Sequence, residues 1–268
     1  MGTPLPNALT IAGSDSSGGA GIQADIKTFS ALGVYSASVI TAVTAQNTHA
    51  IHASQFLPAQ MVEAQLASIF EDLTINAVKI GMLGTADIID VVCRAIKQYK
   101  VKRVVVDPVM VSTSGTRLLN QQAIDVLKYE LFPLASLITP NLPEAAVLLD
   151  ESEAICAADM QATVGRLDRF GAKAVLLKGG HLQGKQCHDL LLSDDRVTQI
   201  SHVRIETSNT HGTGCTLSSA ITAELAKKSS IQQAVASATE YLQLALRSGS
   251  RLQVGSGQGP VHHFHKYW

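Results

Sequence analysis

The sequence predicts an α/β fold with a mostly parallel central sheet that helices cover on both faces. Short apolar, β-branched runs alternate with amphipathic helical runs along nearly the whole chain of 268 residues. This alternation is typical of parallel sheets whose ligand loops follow the carboxyl ends of the strands. Because no fixed-period repeat, low-complexity linker or change of composition interrupts it, residues 1–268 are expected to form a single domain.

The first elements are separated by glycine-rich and polar loops. The apolar run ALTIAG (residues 8–13) predicts a buried strand, and a Gly/Ser loop follows it. AGIQADIKTFSAL predicts a helix that stops at Gly33, where glycine accepts the left-handed conformation of a helix end. The run YSASVITAVTAQ (residues 35–46) predicts the next strand.

The middle of the chain repeats this order twice. Residues 58–73 predict a helix with proline at its start, and AVKIGML (residues 77–83) predicts a strand. Residues 86–100 predict a helix, and RVVVDPVM (residues 103–110) predicts a strand that Asp-Pro stops.

The remaining elements complete the sheet and its cover. Helices are predicted near residues 120–131, 142–149, 158–170, 213–228 and 231–247, strands over residues 136–141 and 174–180, and an antiparallel hairpin over residues 187–206.

Composition indicates a compact globular protein that takes neither nucleic acid nor a membrane as a partner. Hydrophobic residues make up 46% of the chain and charged residues 16%, and the formal net charge is −1. Such a balance gives no basic footprint for nucleic acid, and no apolar run reaches membrane-spanning length. The four cysteines are scattered and the N-terminus lacks signal-peptide features, so a cytoplasmic protein with reduced thiols is expected.

The loop after the first strand contains Gly19-Ala-Gly-Ile-Gln-Ala24, which satisfies the GxGxxG/A pattern of dinucleotide-binding folds. A dinucleotide-binding oxidoreductase is therefore an alternative. That fingerprint also requires an acidic residue at the end of the second strand, whereas this strand ends Thr44-Ala45-Gln46. The Walker pattern GxxxxGK[ST] is absent from the sequence.

The stretch NTHGTGCTLS (residues 209–218) places Cys215 where a helix is predicted to begin. A helix N-terminus attracts anions and lowers the pKa of a cysteine thiol. Cys215 is thus a nucleophile, a proton acceptor beside a phosphate, or an ordinary small residue. With His211 nearby, a Cys–His thiol hydrolase is a minor alternative.

Polar residues end several predicted strands. Gln46 offers a hydrogen-bond donor and an acceptor side by side, which suits an aminopyrimidine edge. Asp107 and Glu144 each follow a strand, and two carboxylates with waters are a common way to hold Mg²⁺ beside substrate phosphates. Lys178 precedes a Gly-Gly turn, where a lysine either reaches phosphate or is simply solvated; the turn favours the phosphate interpretation. The histidines of the terminal VHHFHKYW are interpreted as docking residues of the tail rather than as metal ligands.

Seven blocks in register extend this interpretation: AGSDSSGGAGIQADIKTFSALG, VITAVTAQNT, KIGMLG, VVVDPVM, ITPNLPEA, LLKGGH and NTHGTGCTLSSAI. Together they closely resemble the hydroxymethylpyrimidine and phosphomethylpyrimidine kinases of thiamine biosynthesis, in the ribokinase-like superfamily. The resemblance implies a three-layer α/β/α sandwich and a homodimer. It also implies the use of ATP and Mg²⁺ to phosphorylate 4-amino-5-hydroxymethyl-2-methylpyrimidine first to the monophosphate and then to the diphosphate. The segment NTHAIHAS (residues 47–54), after the second predicted strand, is less similar to these kinases than the seven blocks are. The resemblance therefore does not define the rim of the pocket there.

The resemblance also implies a role for individual residues. Those expected to form the pyrimidine pocket are Ala20, Asp25, Gln46, Met82 and Val109. Those expected to act on the phosphates are Gly212, Thr213 and Gly214 as an anion hole, Lys178 on ATP, Cys215 facing the substrate hydroxyl, and Asp107 with Glu144 on Mg²⁺. A pyridoxal or pyridoxine kinase of the same superfamily, and a nucleotide-binding protein without activity, remain the nearest alternatives.

Overall fold

The computed structural model describes residues 4–110, 119–151 and 156–268. Within them, nine strands form one sheet: β1 (Asn7–Asp15), β2 (Tyr35–Gln46), β3 (Ile51–Phe56), β4 (Ala77–Ile80), β5 (Val104–Val106), β6 (Leu137–Ile138), β7 (Ala174–Leu177), β8 (Gln186–Ser193) and β9 (Arg196–Val203).

The strand order across the sheet is β3-β2-β1-β4-β5-β6-β7-β8-β9. Neighbouring strands from β2 to β7 are parallel. β3 adds to one edge and the β8–β9 hairpin to the other, each antiparallel. The carboxyl ends of the six parallel strands therefore meet at one edge of the sheet.

Helices cover both faces: α1 (Gly21–Ala31), α2 (Ala59–Phe70), α3 (Ala86–Gln98), α4 (Gln121–Val126), α5 (Leu142–Leu149), α6 (Ala157–Leu167), α7 (Thr213–Ala226) and α8 (Ile231–Arg247). A π-helical stretch, Leu127–Leu131, continues α4, and short 3₁₀ turns span Phe132–Leu134, Asp168–Phe170 and Gly249–Arg251.

Two apolar layers separate the sheet from these helices. One lies under α2 to α6, and the other lies under α1, α7 and α8. Alternation along single strands supplies both layers, since Val104 and Val106 pack into the first and Val105 packs into the second. The predicted three-layer α/β/α sandwich with a mostly parallel sheet is confirmed.

Most predicted elements are present with shifted ends. The strand expected over residues 103–110 contains only Val104–Val106, because the chain leaves the sheet at Asp107-Pro108. The edge strand β3 was not predicted. Its residues are mostly exposed and polar, so they lack the apolar signal of a buried strand.

Candidate active site

A cavity of about 470 Å³ opens at the edge where the parallel strands end. Its wall includes residues at or just after the ends of β1, β2, β4, β5, β6 and β7, which are Asp15, Gln46, Met82, Asp107, Asn141 and Lys178. The start of α7 closes the opposite side through residues 212–215. This volume lies within the range of about 300–1,000 Å³ that is usual for small-molecule sites.

The cavity brings together eleven of the twelve residues expected from the sequence: Ala20, Gln46, Met82, Asp107, Val109, Glu144, Lys178, Gly212, Thr213, Gly214 and Cys215. Asp25 is the exception. Its side chain is fully buried beneath the wall, so the expectation that it directly lines the pyrimidine pocket does not match its position. Residues that line the cavity and that sequence reasoning did not assign to it include Lys79, Asn141 and Gln258.

The N-terminus of α7 presents open backbone donors to the cavity. Gly212 precedes the helix with φ 78°, and a Cβ there would overlap the carbonyl oxygen of Gly19, so this position requires glycine. The N–H of Thr213 donates to Thr210 O at 3.2 Å. Among the hydrogen bonds of the described residues, the N–H groups of Gly214 and Cys215 have no acceptor. The N–H of Gly212 has no acceptor there either, so of the three N–H groups expected to form the anion hole only that of Thr213 is already engaged.

Gly214 faces two charged groups across a narrow space. A Cβ at this position would lie 3.5 Å from both Asp107 Oδ2 and Lys178 Nζ, which is ordinary van der Waals contact. Its φ does not lie in the left-handed region, so the backbone does not require glycine here. Glycine instead leaves room between the helix terminus and the two charges.

Lys178 and two carboxylates form a charged cluster in the cavity. Lys178 Nζ donates to Asp107 Oδ1 at 2.8 Å, and Thr139 Oγ1 donates to the same oxygen at 3.0 Å. Burial opposes ionisation of Asp107, but Lys178 outweighs it and lowers the pKa of this carboxyl. Burial, together with the charge of Asp107, raises the pKa of Glu144 to about 7. The cluster therefore holds one carboxylate and one acid that ionises near neutral pH.

Glu144 is held by the end of its own helix. Asn141 and Glu144 form a capping box, in which Asn141 N–H donates to Glu144 Oε2 at 2.8 Å and Glu144 N–H donates to Asn141 Oδ1 at 2.8 Å. One carboxylate oxygen is thus fixed by the backbone. This geometry keeps Glu144 at the mouth of α5, beside Lys178.

Cys215 lies in the first turn of α7 and lines the cavity. Burial raises the pKa of its thiol to about 11, although Lys79 opposes this increase. The sequence predicted the opposite direction from the position at a helix N-terminus. Burial is the largest influence on this thiol, so Cys215 is mainly a thiol at neutral pH.

Beneath Cys215, Lys79 and Asp25 form a fully buried ion pair. Lys79 Nζ donates to both oxygens of Asp25 at 3.0 and 2.9 Å. Thr10 Oγ1 and Ser219 Oγ also donate to Asp25, each at 2.6 Å. Burial alone would lower the pKa of Lys79, but Asp25 raises it above its ordinary value, so Lys79 is a cation.

The glycine loop after β1 is organised by Asp15. Its carboxylate accepts hydrogen bonds from the N–H groups of Ser17, Gly19 and Ala20, at 2.8, 3.1 and 2.8 Å. His211 Nε2 lies 2.8 Å from Asp15 Oδ2. Because a carboxylate only accepts, His211 Nε2 carries a hydrogen and donates it to Asp15. Burial opposes ionisation of Asp15, but these hydrogen bonds outweigh it and lower the pKa of the carboxyl.

Gln46 keeps its amide available to a ligand. Its Nε2 lies 3.4 Å from His211 Nε2, but both atoms are donors and this contact is not a hydrogen bond. Thr44 Oγ1 makes only a long contact of 3.3 Å with Gln46 Oε1. Met82, Val109 and Ala20 line the same cavity. Gln46 therefore presents a largely unused donor and acceptor beside apolar walls.

The C-terminal tail completes the rim of the cavity. Gly257 and Gln258 line it, and the Gln258 N–H donates to Thr48 O at 2.8 Å. A Cβ at Gly257 would overlap the Thr48 carbonyl, so the tail approaches the β2–β3 turn closely. Further along, His263 is buried and its Nε2 lies 3.1 Å from Thr216 Oγ1 on α7, which places it as a docking residue.

The structure also tests three other possibilities: a thiol hydrolase, a metal site formed by side chains alone, and a membrane-spanning helix. His211 Nε2 is engaged by Asp15, and among the described residues no hydrogen bond joins His211 to Cys215, so the structure gives no support for a Cys–His thiol hydrolase. In residues 4–110, 119–151 and 156–268, no cluster of three or more His, Cys, Asp or Glu side chains could hold a metal ion unaided. No helix in this part of the chain combines the length and apolar character needed to cross a membrane.

Comparisons with known proteins agree on one family. Residues 15–262 match the family model described as phosphomethylpyrimidine kinase. The chain is 51% identical to the hydroxymethylpyrimidine/phosphomethylpyrimidine kinase of Rhizobium meliloti, covering 97% of this chain and 98% of the relative. It is 48% identical to the protein of the same name from Escherichia coli, covering 98% of both chains.

Solved structures show the same likeness. The phosphomethylpyrimidine kinase of Clostridium difficile superposes with a TM-score of 0.80 at 44% identity, covering 90% of this chain and 99% of that one. Bacillus subtilis pyridoxal kinase, solved as an ADP complex, superposes with a TM-score of 0.90 at 37% identity, covering 97% and 98%. Staphylococcus aureus pyridoxal kinase in complex with AMP-PCP and pyridoxal gives 0.90 at 33% identity, covering 99% and 96%.

Proposed function

The chain belongs to the phosphomethylpyrimidine kinase family, and from this premise we propose how its residues carry out the reaction. It phosphorylates 4-amino-5-hydroxymethyl-2-methylpyrimidine with ATP, first to the monophosphate and then to the diphosphate, in thiamine biosynthesis. The dinucleotide-binding oxidoreductase is set aside, since the family is one of kinases.

One observation links the proposed kinase function to this cavity. A free amide edge at Gln46 and open backbone donors at Gly214 and Cys215 line the same cavity, with Lys178 and Asp107 also in its wall. The amide suits the aminopyrimidine ring, and the donors suit a phosphoryl group at a helix N-terminus. The cavity therefore has the parts needed to hold an aromatic alcohol and a phosphate together.

Positioning and charge supply most of the proposed catalysis. The N–H groups of Gly214 and Cys215 donate to oxygens of the transferring phosphoryl group, and Lys178 neutralises charge on the ATP phosphates. Since the transition state of phosphoryl transfer is loose, such preorganised donors contribute more than covalent chemistry. The missing side chain of Gly214 leaves space for the phosphoryl oxygens beside Lys178 and Asp107.

Asp107 and Glu144 fit a site for Mg²⁺. Both are oxygen ligands lining one cavity, and the charge of Asp107 contributes to the raised pKa of Glu144, an unfavourable pairing that a divalent cation would relieve. Mg²⁺ would neutralise phosphate charge when bound. Two carboxylates do not fill the coordination sphere of Mg²⁺, so phosphate oxygens and waters would complete it.

Cys215 faces the hydroxyl in the first phosphorylation. The alcohol oxygen attacks the γ-phosphorus of ATP, the bond from that phosphorus to the bridging oxygen breaks, and ADP leaves. The alcohol proton passes to the sulfur of Cys215 in the small fraction of molecules that carry the thiolate. In the second phosphorylation the nucleophile is a phosphate monoester that is already ionised, so no base is needed.

A panel assay tests the proposal. Coupled ADP release would be measured with hydroxymethylpyrimidine, its monophosphate, pyridoxine and pyridoxal, each at saturating ATP. We expect both pyrimidines to be the preferred substrates by kcat/KM. Because the chain is also structurally similar to pyridoxal kinases, a preference for pyridoxal would favour that activity. Turnover with none of the four would favour a nucleotide-binding protein without this activity.

The remaining expectations concern the state of the protein. We propose a homodimer, as the resemblance implies, and sedimentation equilibrium would measure it. All four cysteines are free, which supports the proposed cytoplasmic location. The single sheet supports the proposal that the chain is one domain.

A further inference from the structure

Lys79 is a buried charge whose position needs an explanation. It lies on β4, has no exposed surface of its own, and sits on the side of the sheet that α1 and α7 cover. Burying an ammonium and a carboxylate carries a large desolvation penalty before their attraction is counted. A pair of apolar side chains of similar volume would often be neutral or stabilising there. Packing alone therefore does not account for an ion pair at this position.

The hydrogen bonds around the pair leave one donor of Lys79 unused. Asp25 accepts four hydrogen bonds, from Lys79 twice, Thr10 and Ser219, so its two oxygens are fully engaged. An ammonium has three N–H donors, and those of Lys79 bond only to Asp25 among the described residues. Lys79 also lines the cavity. Lys79 therefore borders both the buried ion pair and the cavity.

Helix α7 links this pair to Cys215. Ser219 lies four residues after Cys215, which puts both side chains on one face of the helix, one turn apart. Ser219 fixes Asp25, Asp25 fixes Lys79, and Lys79 and Cys215 share the cavity wall. No hydrogen bond joins Lys79 to Cys215 among the described residues, so any effect between them acts through space.

We propose, on the basis of the function proposed above, that Lys79 is a positioning residue that stabilises the thiolate of Cys215, and that Asp25 holds it there. The charged groups facing Cys215 are Lys79 from β4, Asp25 from α1, Asp107 after β5 and Lys178 after β7. Of the charges that act on this thiol, Lys79 has the largest lowering effect on its pKa. Lys79 thereby increases the small fraction of Cys215 that can accept the alcohol proton.

Thiol alkylation without substrates tests this directly. Iodoacetamide would be added at pH 9, and the modification of Cys215 relative to Cys156 would be followed by peptide mass spectrometry. Cys156 is an exposed cysteine at the start of α6 and serves as the internal control. The ratio reports the thiolate fraction of Cys215 and does not depend on which substrate the protein uses.

Two variants carry opposite expectations. Asp25→Asn removes the negative charge but keeps an acceptor for Lys79, so the Cys215/Cys156 ratio should rise. The double variant Asp25→Asn/Lys79→Met removes both charges, so the ratio should fall below wild type, by about tenfold for each pKa unit. A solely structural ion pair predicts the same ratio in every folded variant, and that result would overturn the proposal. Asp25→Asn alone removes a charge that itself faces Cys215, so it cannot decide by itself. If the double variant does not fold, Asp25→Leu/Lys79→Leu takes its place, and a ratio at or above wild type in the folded protein contradicts the proposal.

The two half-reactions give a second readout. In the double variant the first phosphorylation should slow by the same factor as the Cys215/Cys156 ratio falls, while the second should change much less. Equal slowing of both steps would indicate a structural role for Lys79. If alkylation follows the expected order but neither pyrimidine is phosphorylated, the electrostatic proposal stands and the proposed function fails.

Discussion

The carboxylate of Asp15 and the imidazole of His211 lie 2.8 Å apart, although 196 residues separate them in the chain. This contact joins the glycine loop after β1 to the loop that begins α7. A hydrogen bond to a charged carboxylate therefore joins two loops of the cavity wall.

Replacing Asp15 with Asn should destabilise the protein at neutral pH. Hydrogen bonds to a charged group contribute about 1.5–3 kcal/mol each, so a loss on the order of 3 kcal/mol is expected. The pKa of Asp15 is depressed in the folded state, so its contribution is present above the ordinary carboxyl pKa and is lost as pH falls below it. Urea unfolding of wild type and variant at pH 7 and at pH 3 would measure both effects. A difference in stability that is the same at both pH values would contradict this assignment.

Glycines 212 and 214 should respond differently to alanine. Gly212→Ala forces a side chain into a left-handed backbone and against Gly19, so it should lower stability by more than about 1 kcal/mol. Gly214→Ala meets only ordinary contacts and should fold normally. Its methyl group would occupy the phosphoryl space, and turnover should fall on the order of 10²-fold, as when one oxyanion donor is lost.

Thermal melts and ADP-release rates of the two variants form the matched comparison. Near-normal turnover in a folded Gly214→Ala protein would show that the space beside Gly214 does not hold the phosphoryl group.

Cys215 should matter unequally in the two phosphorylations. The pKa of the Cys215 thiol is about 11. As long as the pH is below this value, the thiolate fraction increases about tenfold for each unit by which the pH rises. Between pH 7 and 9, kcat/KM for the alcohol should therefore rise with pH. Cys215→Ala should flatten this profile and slow the step on the order of 10²-fold, the low end of general-base effects. The second step should lose only severalfold and show no such rise.

Both half-reactions would be measured separately, with mass spectrometry of the protein after turnover. Equal slowing would leave Cys215 as a residue that only shapes the pocket. A covalent adduct on its sulfur would instead support a nucleophile.

Gln46→Leu should weaken pyrimidine binding alone. The substrate edge would lose its partner in the cavity, at a cost of about 1–3 kcal/mol. The KM for the pyrimidine should rise while the KM for ATP stays near wild type. Gln121→Leu, at an exposed glutamine on α4, is the control for the substitution itself. Loss of affinity for both substrates would make Gln46 a structural residue.

The sequence predicted strands correctly where the pattern of apolar residues along the chain matches the burial of those residues in the fold. Strands such as Ala174–Leu177 are buried on both faces, so a continuous apolar run was sufficient to predict them. Edge strand β3 receives no such burial and its polar residues gave no signal. Asp15 could have been found from its place before a Ser-Ser-Gly-Gly turn, where aspartate commonly bonds to following N–H groups.

Two features of the site depend on distant residues and were beyond local rules. Asp25 pairs with Lys79, 54 residues away, so nothing adjacent to Asp25 in the chain indicated that its carboxylate is enclosed. The thiol pKa of Cys215 was predicted from its position on a helix, but burial by the surrounding layers reverses the direction. Both errors come from burial, which only the assembled fold determines.

The close packing of the C-terminal tail has a consequence during protein synthesis. Gly257 and Gln258 line the cavity, and the backbone of His211 bonds to Gly259. The ribosome makes residues 257–259 after every strand of the described sheet, so the strands are complete before this part of the rim is added. A product truncated before residue 257 lacks that part of the rim, even though every strand has already been translated.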